Sequence, residues 1–158
     1  MKNTYITKNH EETFGLAKSL GPYLKIGANL LVDGDLAAGK TVFAKGLGKG
    51  LKIEATVKSP SYTLLCIYEG RLPFYHFDAY HLNNINDFYE LGFDEYLKDG
   101  IVLIEWASVI SDGFPGGYIH VEIGKGEAED ERIITFSATD DFHRDILEEW
   151  QRHEDSCL

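Results

Sequence analysis

The chain has 158 residues and a formal net charge of −11, from 26 acidic and 15 basic residues. This length predicts one domain, spanning residues 1–158, and a hydrophobic fraction of 44 % argues against intrinsic disorder. The acidic balance argues against strong direct binding of nucleic acid, because neutralising phosphates requires clustered Lys and Arg. We therefore interpret the charge as a solubility feature of a globular protein.

Targeting and redox signals point to the cytoplasm. Residues 1–5 lack the apolar core of a signal peptide, and no apolar run approaches the ~18 residues needed to span a bilayer. The two cysteines, Cys66 and Cys157, lie far apart and do not indicate a disulfide framework. The sequence predicts a cytoplasmic protein without a membrane association.

The first predicted helix follows Asn9, which can cap it, and Glu12 is placed to complete a capping box. Residues 21–22, Gly-Pro, are expected to end this helix. A helix that precedes a nucleotide-binding strand often lies near the nucleotide, so Glu11 or Thr13 could contact the base. Solvation at the surface is the alternative for both side chains, and local sequence favours it.

Residues 34–41 read GDLAAGKT, which fits the P-loop pattern of glycine, four residues and Gly-Lys-Thr. In such a loop backbone N–H groups cradle the phosphates, the lysine, here Lys40, reaches the β/γ oxygens, and the hydroxyl of Thr41 ligates Mg²⁺. Residues 29–32 predict a buried strand before the loop, and residues 42–51 predict a helix after it. A glycine-rich turn with an incidental lysine is the alternative, and this context disfavours it.

The segment after the P-loop helix carries three hydroxyl side chains, Ser59, Ser61 and Thr63. Ser59 is expected to be extended because proline follows it. These hydroxyls could meet a γ-phosphate, as those of switch loops do. An ordinary Ser-Pro turn is equally compatible with the local sequence.

Residues 62–68 and 72–78 are rich in strand-forming residues and predict a β-hairpin. His76 and Asp78 lie two residues apart on the returning strand and so face the same way. His81 follows just beyond it, which makes a zinc site conceivable. The ligand set is incomplete and no cysteine supports it, so we disfavour zinc.

A second pair of elements leads to another acidic residue. Residues 83–97 predict a helix that Gly92 could break in two, and residues 101–104 predict a strand buried on both faces. Glu105 ends that strand, where α/β nucleotide-binding proteins place a carboxylate that faces magnesium. Of Glu105 and Asp78, one would hold Mg²⁺ and the other would orient the attacking water, and the sequence does not rank them. A solvated strand-end glutamate is the alternative.

The C-terminal part predicts two antiparallel strands, at residues 118–123 and 132–136, around an acidic turn. Phe142, Ile146 and Trp150 then mark an amphipathic final helix. Together the elements predict an α/β, P-loop NTPase-like three-layer fold. Its central sheet would be mixed and mostly parallel, with a β-hairpin after the P-loop helix and antiparallel C-terminal strands.

The chemistry that these parts permit is phosphoryl transfer from a nucleoside triphosphate. A small-molecule kinase usually clamps its second phosphorylated substrate with several arginines, and the four arginines of this chain are scattered. The residues therefore favour hydrolysis of ATP. A nucleotide-gated binding module with incidental hydrolysis is the competing hypothesis.

Taken in order, these segments resemble the bacterial TsaE (formerly YjeE) family, small P-loop ATPases needed for threonylcarbamoyladenosine modification of tRNA. The resemblance runs from about residue 12 to residue 132. It rests on five motifs, which are Thr13 in the first helix, GDLAAGKT at 34–41, SPSYT at 59–63, HFDAYHL at 76–82 and IEW at 104–106.

The resemblance implies a weak, partner-stimulated ATPase with ATP and Mg²⁺ as ligands. It implies catalytic roles for Lys40, Asp78 and Glu105, with Mg²⁺ held by Thr41, Glu105 and Asp78. It also implies work with the TsaD–TsaB pair that transfers the threonylcarbamoyl group, so that tRNA is met indirectly through these partners. The implied nucleotide contacts are Glu11, Thr13, Gly34, Leu36, Ala37, Ala38, Gly39, Lys40, Thr41 and Val42, and the switch candidates are Ser59, Ser61, Thr63, His76 and Trp106.

The sequence departs from the family pattern at four positions. Ala37 stands where the family usually has glycine, and its methyl group is tolerated only if φ is negative there. His81 replaces an arginine and so loses a permanent charge and a bidentate fork. Ser61 replaces a threonine but keeps the hydroxyl, and Ala107 replaces a common proline. None of these changes removes Lys40, Thr41, Asp78 or Glu105.

Overall fold

The computed structural model describes residues 2–35, 38–60 and 64–156. Its strands are β1 (Lys2–Thr7), β2 (Asn29–Gly34), β3 (Leu65–Tyr68), β4 (Phe74–Asp78), β5 (Ile101–Glu105), β6 (Ile119–Lys125) and β7 (Arg132–Ala138). Its α-helices are α1 (His10–Leu20), α2 (Lys40–Gly50), α3 (Ile85–Glu90) and α4 (Asp141–Ser156), and short 3₁₀ helices occupy Gly21–Tyr23, Phe93–Lys98 and Ala107–Val109.

The described strands form one seven-stranded sheet in the order β1-β7-β6-β2-β5-β4-β3. The central strands β6, β2, β5 and β4 are parallel to one another. The outer pairs β1–β7, β6–β7 and β3–β4 are antiparallel. This confirms the predicted mixed, mostly parallel α/β sheet, with a hairpin after α2 and antiparallel C-terminal strands.

Side chains of the central strands alternate between two cores, because successive residues of a strand point to opposite faces. Leu30 and Val32 of β2 lie in one core with residues of α1, α2 and α4. Leu31 lies in the other core with Phe88 of α3 and Leu97. Helices thus cover both faces of the central strands, as the three-layer prediction requires. Within the described residues, no helix combines the length and apolar character needed to cross a bilayer.

Strand β1 was not predicted. It pairs antiparallel with β7, from Lys2 opposite Ser137 to Thr7 opposite Arg132. The strand lies at the edge of the sheet, and Ile6 on its open face is 63 % exposed. Because only one face packs on a core, the strand contains more polar residues than a central one.

Local capping determines where α1 begins. The Asn9 side chain accepts a hydrogen bond from the Glu12 N–H at 2.8 Å, as predicted. The Glu12 carboxylate accepts from the Lys8 N–H at 2.9 Å, one residue before the cap position expected for a capping box. The predicted break at Gly92 is also confirmed, since this residue has φ of 74° and separates α3 from the following 3₁₀ helix.

The final helix buries a different set of residues from the predicted one. Ile146 and Trp150 are fully or almost fully buried, as expected, but Phe142 is 40 % exposed. His143, the next residue, is 2 % exposed and occupies the buried face instead. The prediction for Phe142 was wrong because the buried face of α4 runs through His143, Ile146, Leu147 and Trp150, and Phe142 lies beside that face.

Helices α1 and α2 touch through their backbones. A Cβ atom on Gly46 would lie 2.3 Å from the Phe14 carbonyl oxygen. A Cβ on Gly50 would lie 2.3 Å from the Lys18 carbonyl oxygen. Glycine is therefore required at both positions for this distance between the helices.

His143 makes the stability of the fold depend on pH. Its Nε2 accepts a hydrogen bond from the Asn29 N–H at 3.0 Å, and its Nδ1 lies 2.7 Å from Asp140. Burial lowers the pKa of His143 below its usual 6.5, against the opposing effect of Asp140. A lowered folded-state pKa gives stability that is present above pH 6.5 and is lost as the pH falls through the folded-state pKa.

We therefore expect the His143 contribution to the free energy of unfolding, measured in urea, to decrease between about pH 7 and pH 5. His143→Gln should remove this part of the pH dependence, whereas His10→Gln, at an exposed histidine, should retain it. An identical pH profile for wild type and His143→Gln would contradict the assignment.

Candidate active site

The glycine-rich loop joins the carboxyl end of β2 to the amino end of α2, as the sequence predicts. Gly39 has φ of 113°, a conformation that side chains rarely adopt, so glycine is required there. The first N–H groups of an α-helix have no partner within the helix, so the start of α2 offers donors for an anion. Leu36 and Ala37 lie outside the described residues, so the Ala37 departure stays a prediction.

Lys40 is folded back onto the loop. Its Nζ donates hydrogen bonds to the carbonyl oxygens of Gly34 at 2.6 Å and Asp35 at 2.8 Å. The same nitrogen lies 4.1 Å from the centroid of the Trp106 ring, a cation–π distance. Burial lowers the pKa of Lys40, and the nearby negative charges, with Glu105 the largest, oppose that shift. The loop carbonyls hold the ammonium in a place from which it can turn toward a phosphate.

The two predicted acidic residues lie side by side. Asp78 ends β4 and Glu105 ends β5, and they are opposite each other in the register of this parallel pair. Both are buried, with exposed fractions of 7 % and 3 %. Burial raises the pKa of Asp78; the hydrogen bond from the Tyr80 N–H opposes this, and the Glu105 charge adds to it. Two adjacent buried carboxylates near the glycine-rich loop fit a divalent cation, because oxygen ligands are those that Mg²⁺ prefers.

His76 distinguishes the two carboxylates. It is fully buried in β4, and its Nε2 lies 2.5 Å from Glu105 Oε2. Its Nδ1 has no hydrogen-bond partner among the described residues. The structure thus places this switch candidate inside the sheet, where it orients Glu105. No three His, Cys, Asp or Glu side chains within the described ranges are grouped to hold a metal, and His76, Asp78 and His81 do not form such a group.

The other switch candidates are placed as follows. Ser59 is exposed in the segment between α2 and β3. Ser61 and Thr63 lie outside the described residues. Leu64, directly after them, has φ of 66°, and β3 begins at Leu65, later than the predicted residue 62.

At the amino end of α1, Glu11 is exposed but Thr13 is not. Thr13 is 1 % exposed, and its hydroxyl lies 2.6 Å from the Thr7 hydroxyl. The expectation that Thr13 is solvated was wrong, because the unpredicted β1 covers it. Ala38, Thr41 and Val42 lie where the predicted loop and first helical turn place them, with Ala38 buried and the other two half-buried.

Sequence reasoning missed Arg132. This residue begins β7 and is 6 % exposed, and its Nε donates a hydrogen bond to the Ala38 carbonyl at 2.7 Å. Its Nη1 donates to the carbonyls of Glu129 and Glu131 at 2.8 and 2.9 Å. The guanidinium fixes the glycine-rich loop against the β6–β7 turn and brings a permanent positive charge to it. The only sequence signal is an arginine at the start of a predicted strand, which is too common to identify it.

Comparisons with known proteins show the family of this chain. The family model described as "Threonylcarbamoyl adenosine biosynthesis protein TsaE" matches residues 7–134. The tRNA threonylcarbamoyladenosine biosynthesis protein TsaE of Bacillus subtilis (strain 168) is 40 % identical over 150 residues, 94 % of this chain and 93 % of that protein. The protein of the same name from Nostoc sp. is 38 % identical over 137 residues, 82 % and 83 % of the two chains.

A solved structure gives the same result. The crystal structure of YdiB from Bacillus subtilis superposes with a TM-score of 0.85 at 36 % sequence identity, covering 98 % of this chain and 97 % of that one. Fold and sequence are therefore similar over nearly the whole chain, and the resemblance drawn from the five motifs is confirmed. The chain belongs to the TsaE family.

Proposed function

We propose that this chain is a Mg²⁺-dependent ATPase that supports threonylcarbamoyladenosine modification of tRNA in the cytoplasm, acting with a TsaD–TsaB transferase pair. The observation that carries the ATPase proposal is the meeting of one buried ammonium, Lys40, with two buried carboxylates, Asp78 and Glu105, at the glycine-rich loop. Family membership supports the pathway, because the similar proteins are named for threonylcarbamoyladenosine biosynthesis.

Binding of the triphosphate begins at the loop. The N–H groups at the start of α2 donate hydrogen bonds to the phosphate oxygens. Lys40 leaves the carbonyls of Gly34 and Asp35 and turns its ammonium to the β/γ oxygens. Arg132 keeps the loop in place through the Ala38 carbonyl while this exchange occurs.

The two carboxylates then take different roles. His76 Nε2 lies 2.5 Å from Glu105 Oε2, so the Glu105 carboxylate is held in one orientation, as carboxylates that ligate a metal usually are. We therefore assign Glu105, with the hydroxyl of Thr41, to the metal. Held there, Mg²⁺ would supply positive charge to the phosphate oxygens. Asp78, whose pKa is raised by burial, is assigned to accept a hydrogen bond from the attacking water and orient it.

One observation favours a second candidate, a nucleotide-gated binding module with incidental hydrolysis. Lys40 is held by two loop carbonyls and covered by Trp106, so the site must rearrange before it can contact a phosphate. A protein partner that drives this rearrangement would couple binding of the nucleotide to formation of the complex between this chain and that partner. A kinase is less favoured, because Arg71 is committed to the Gly21 and Leu24 carbonyls.

Glu105→Gln separates these candidates. The variant should lower ATP hydrolysis by about 100- to 1000-fold, the usual effect of losing one electrostatic catalytic group. In a tRNA modification assay with purified TsaD–TsaB, wild type should sustain many turnovers and Glu105→Gln should not. Glu148→Gln, an exposed carboxylate on α4, serves as the matched control.

The assay has two contrary outcomes. Full modification with Glu105→Gln despite lost hydrolysis would favour the binding module. Equal multiple-turnover modification with and without the chain would remove the proposed role in the pathway.

A further inference from the structure

Asp33, the residue before the glycine-rich loop, joins two parts of the site that are distant in sequence. Its Oδ1 accepts a hydrogen bond from the Ser108 N–H at 2.8 Å. Its Oδ2 lies 2.9 Å from Nε2 of His120 on β6. One carboxylate therefore connects the strand that leads into the loop with the turn that follows Glu105 and with the neighbouring strand.

The turn that Asp33 holds is the one that presents Trp106. Trp106 has φ of 58°, a left-handed conformation that a bulky side chain rarely adopts. Such a conformation persists only where the surrounding structure holds it. The residues Ala107–Val109 form a single 3₁₀ turn immediately after Trp106, and the Ser108 N–H at its centre is the group that Asp33 binds.

The contacts of Asp33 favour its ionised carboxylate form. Burial raises its pKa, but the hydrogen bonds from His120 and Ser108 outweigh burial and lower it. The same contact with Asp33 raises the pKa of His120. The Asp33 carboxylate is thus ionised and oriented by His120 from the side opposite to Ser108.

Beside this contact lies a cavity of about 700 Å³, which Asp33, Gly34, Trp106, Ser108 and His120 help to line. The cavity gives the Trp106 ring space to move when Lys40 turns toward a phosphate. Without a tether, the same space would let the ring leave Lys40 before any nucleotide arrives.

We propose that Asp33 is a positioning residue, which tethers the 107–109 turn so that the Trp106 ring stays over Lys40, and that His120 orients its carboxylate. The role in turnover rests on the proposed ATPase function, but the placement of Trp106 does not. Removing the tether frees the ring and misplaces the adjacent Glu105, so the rate of the chemical step falls while binding of ATP is preserved.

The first test uses tryptophan fluorescence without nucleotide. Acrylamide quenching is measured for wild type, Asp33→Ala and Asp33→Asn, and Trp106→Phe variants of each supply the Trp150 signal to subtract. Asp33→Ala should increase the quenching of Trp106 at least twofold. Asp33→Asn should not, because its amide oxygen can still accept from Ser108. Equal quenching of Trp106 in wild type and Asp33→Ala would overturn the proposal, whatever the ATPase result.

The second test concerns turnover. Asp33→Ala should lower kcat for ATP about tenfold with KM within about twofold of wild type, since only placement of reacting groups is lost. Asp33→Asn should recover most of kcat. A purely structural role would lower the melting temperature of both variants and leave their quenching and kcat unchanged, and this would also overturn the proposal. Absence of hydrolysis in wild type would contradict the proposed function, and the quenching result would still decide the positioning role.

Discussion

Replacing Lys40 by alanine is expected to lower ATP turnover by about 100- to 1000-fold, because the ammonium is the cation that the site offers to the β/γ oxygens. Lys40 is 6 % exposed, and its removal takes away a positive charge that lies near four acids, Glu105, Asp35, Asp78 and Asp33. Steady-state phosphate release and nucleotide titration measure the two effects.

The matched control is Lys45→Ala, an exposed lysine on the same helix. It removes the same charge from α2 without touching the loop and should leave turnover unchanged. Lys40→Met checks that the loss is electrostatic, since methionine keeps an apolar stem against Trp106. Wild-type turnover and ATP binding in Lys40→Ala would show that the phosphate site is elsewhere.

The largest expected effect on stability comes from Trp150→Ala, which should reduce the free energy of unfolding by about 3–5 kcal/mol. Trp150 is fully buried, its ring packs against Tyr5 and Phe136, and its Nε1 donates to the Ser19 hydroxyl at 3.0 Å. The substitution leaves a cavity between α4 and the edge of the sheet and removes the hydrogen bond from the indole to that hydroxyl, which still donates to the Leu16 carbonyl at 2.7 Å.

Urea unfolding followed by circular dichroism measures this loss. Trp150→Phe should reduce the free energy of unfolding by less than Trp150→Ala, because phenylalanine retains an aromatic ring and only part of the ring volume and the indole N–H are lost. Phe142→Ala, in the first turn of the same helix and 40 % exposed, should cost under about 1 kcal/mol. A loss of about 3–5 kcal/mol for Phe142→Ala as well would contradict the exposed position of Phe142 and would support the sequence-based prediction that it belongs to the buried face.

Elements with a local signal could be predicted from the sequence. The aliphatic runs of β2 and β5 specify strands buried on both faces, and Gly92 specifies a break, because its conformation is open to few other residues. Strand β1 could not be predicted in this way. Its pairing partner β7 lies about 130 residues away, and its polar sequence becomes strand-like only when the partner is present.

The residues of the candidate site also fall into those with a local sequence signal and those without one. Lys40, Asp78 and Glu105 were predictable because a loop motif and the ends of parallel strands bring such residues to one edge of a sheet. The contacts of Arg132 with Ala38 and of Asp33 with Ser108 are set by distances in space between residues far apart in the chain. Neither contact follows from a motif or from the spacing of residues in the sequence.

The backbone contact between α1 and α2 has a mechanical consequence. A Cβ on Gly46 would lie 2.3 Å from the Phe14 carbonyl oxygen and 3.0 Å from the Ala17 Cβ, so there is no space for a further side chain between the two helices. A side chain at either Gly46 or Gly50 would therefore push α1 and α2 apart and shift the start of α2, where the glycine-rich loop ends.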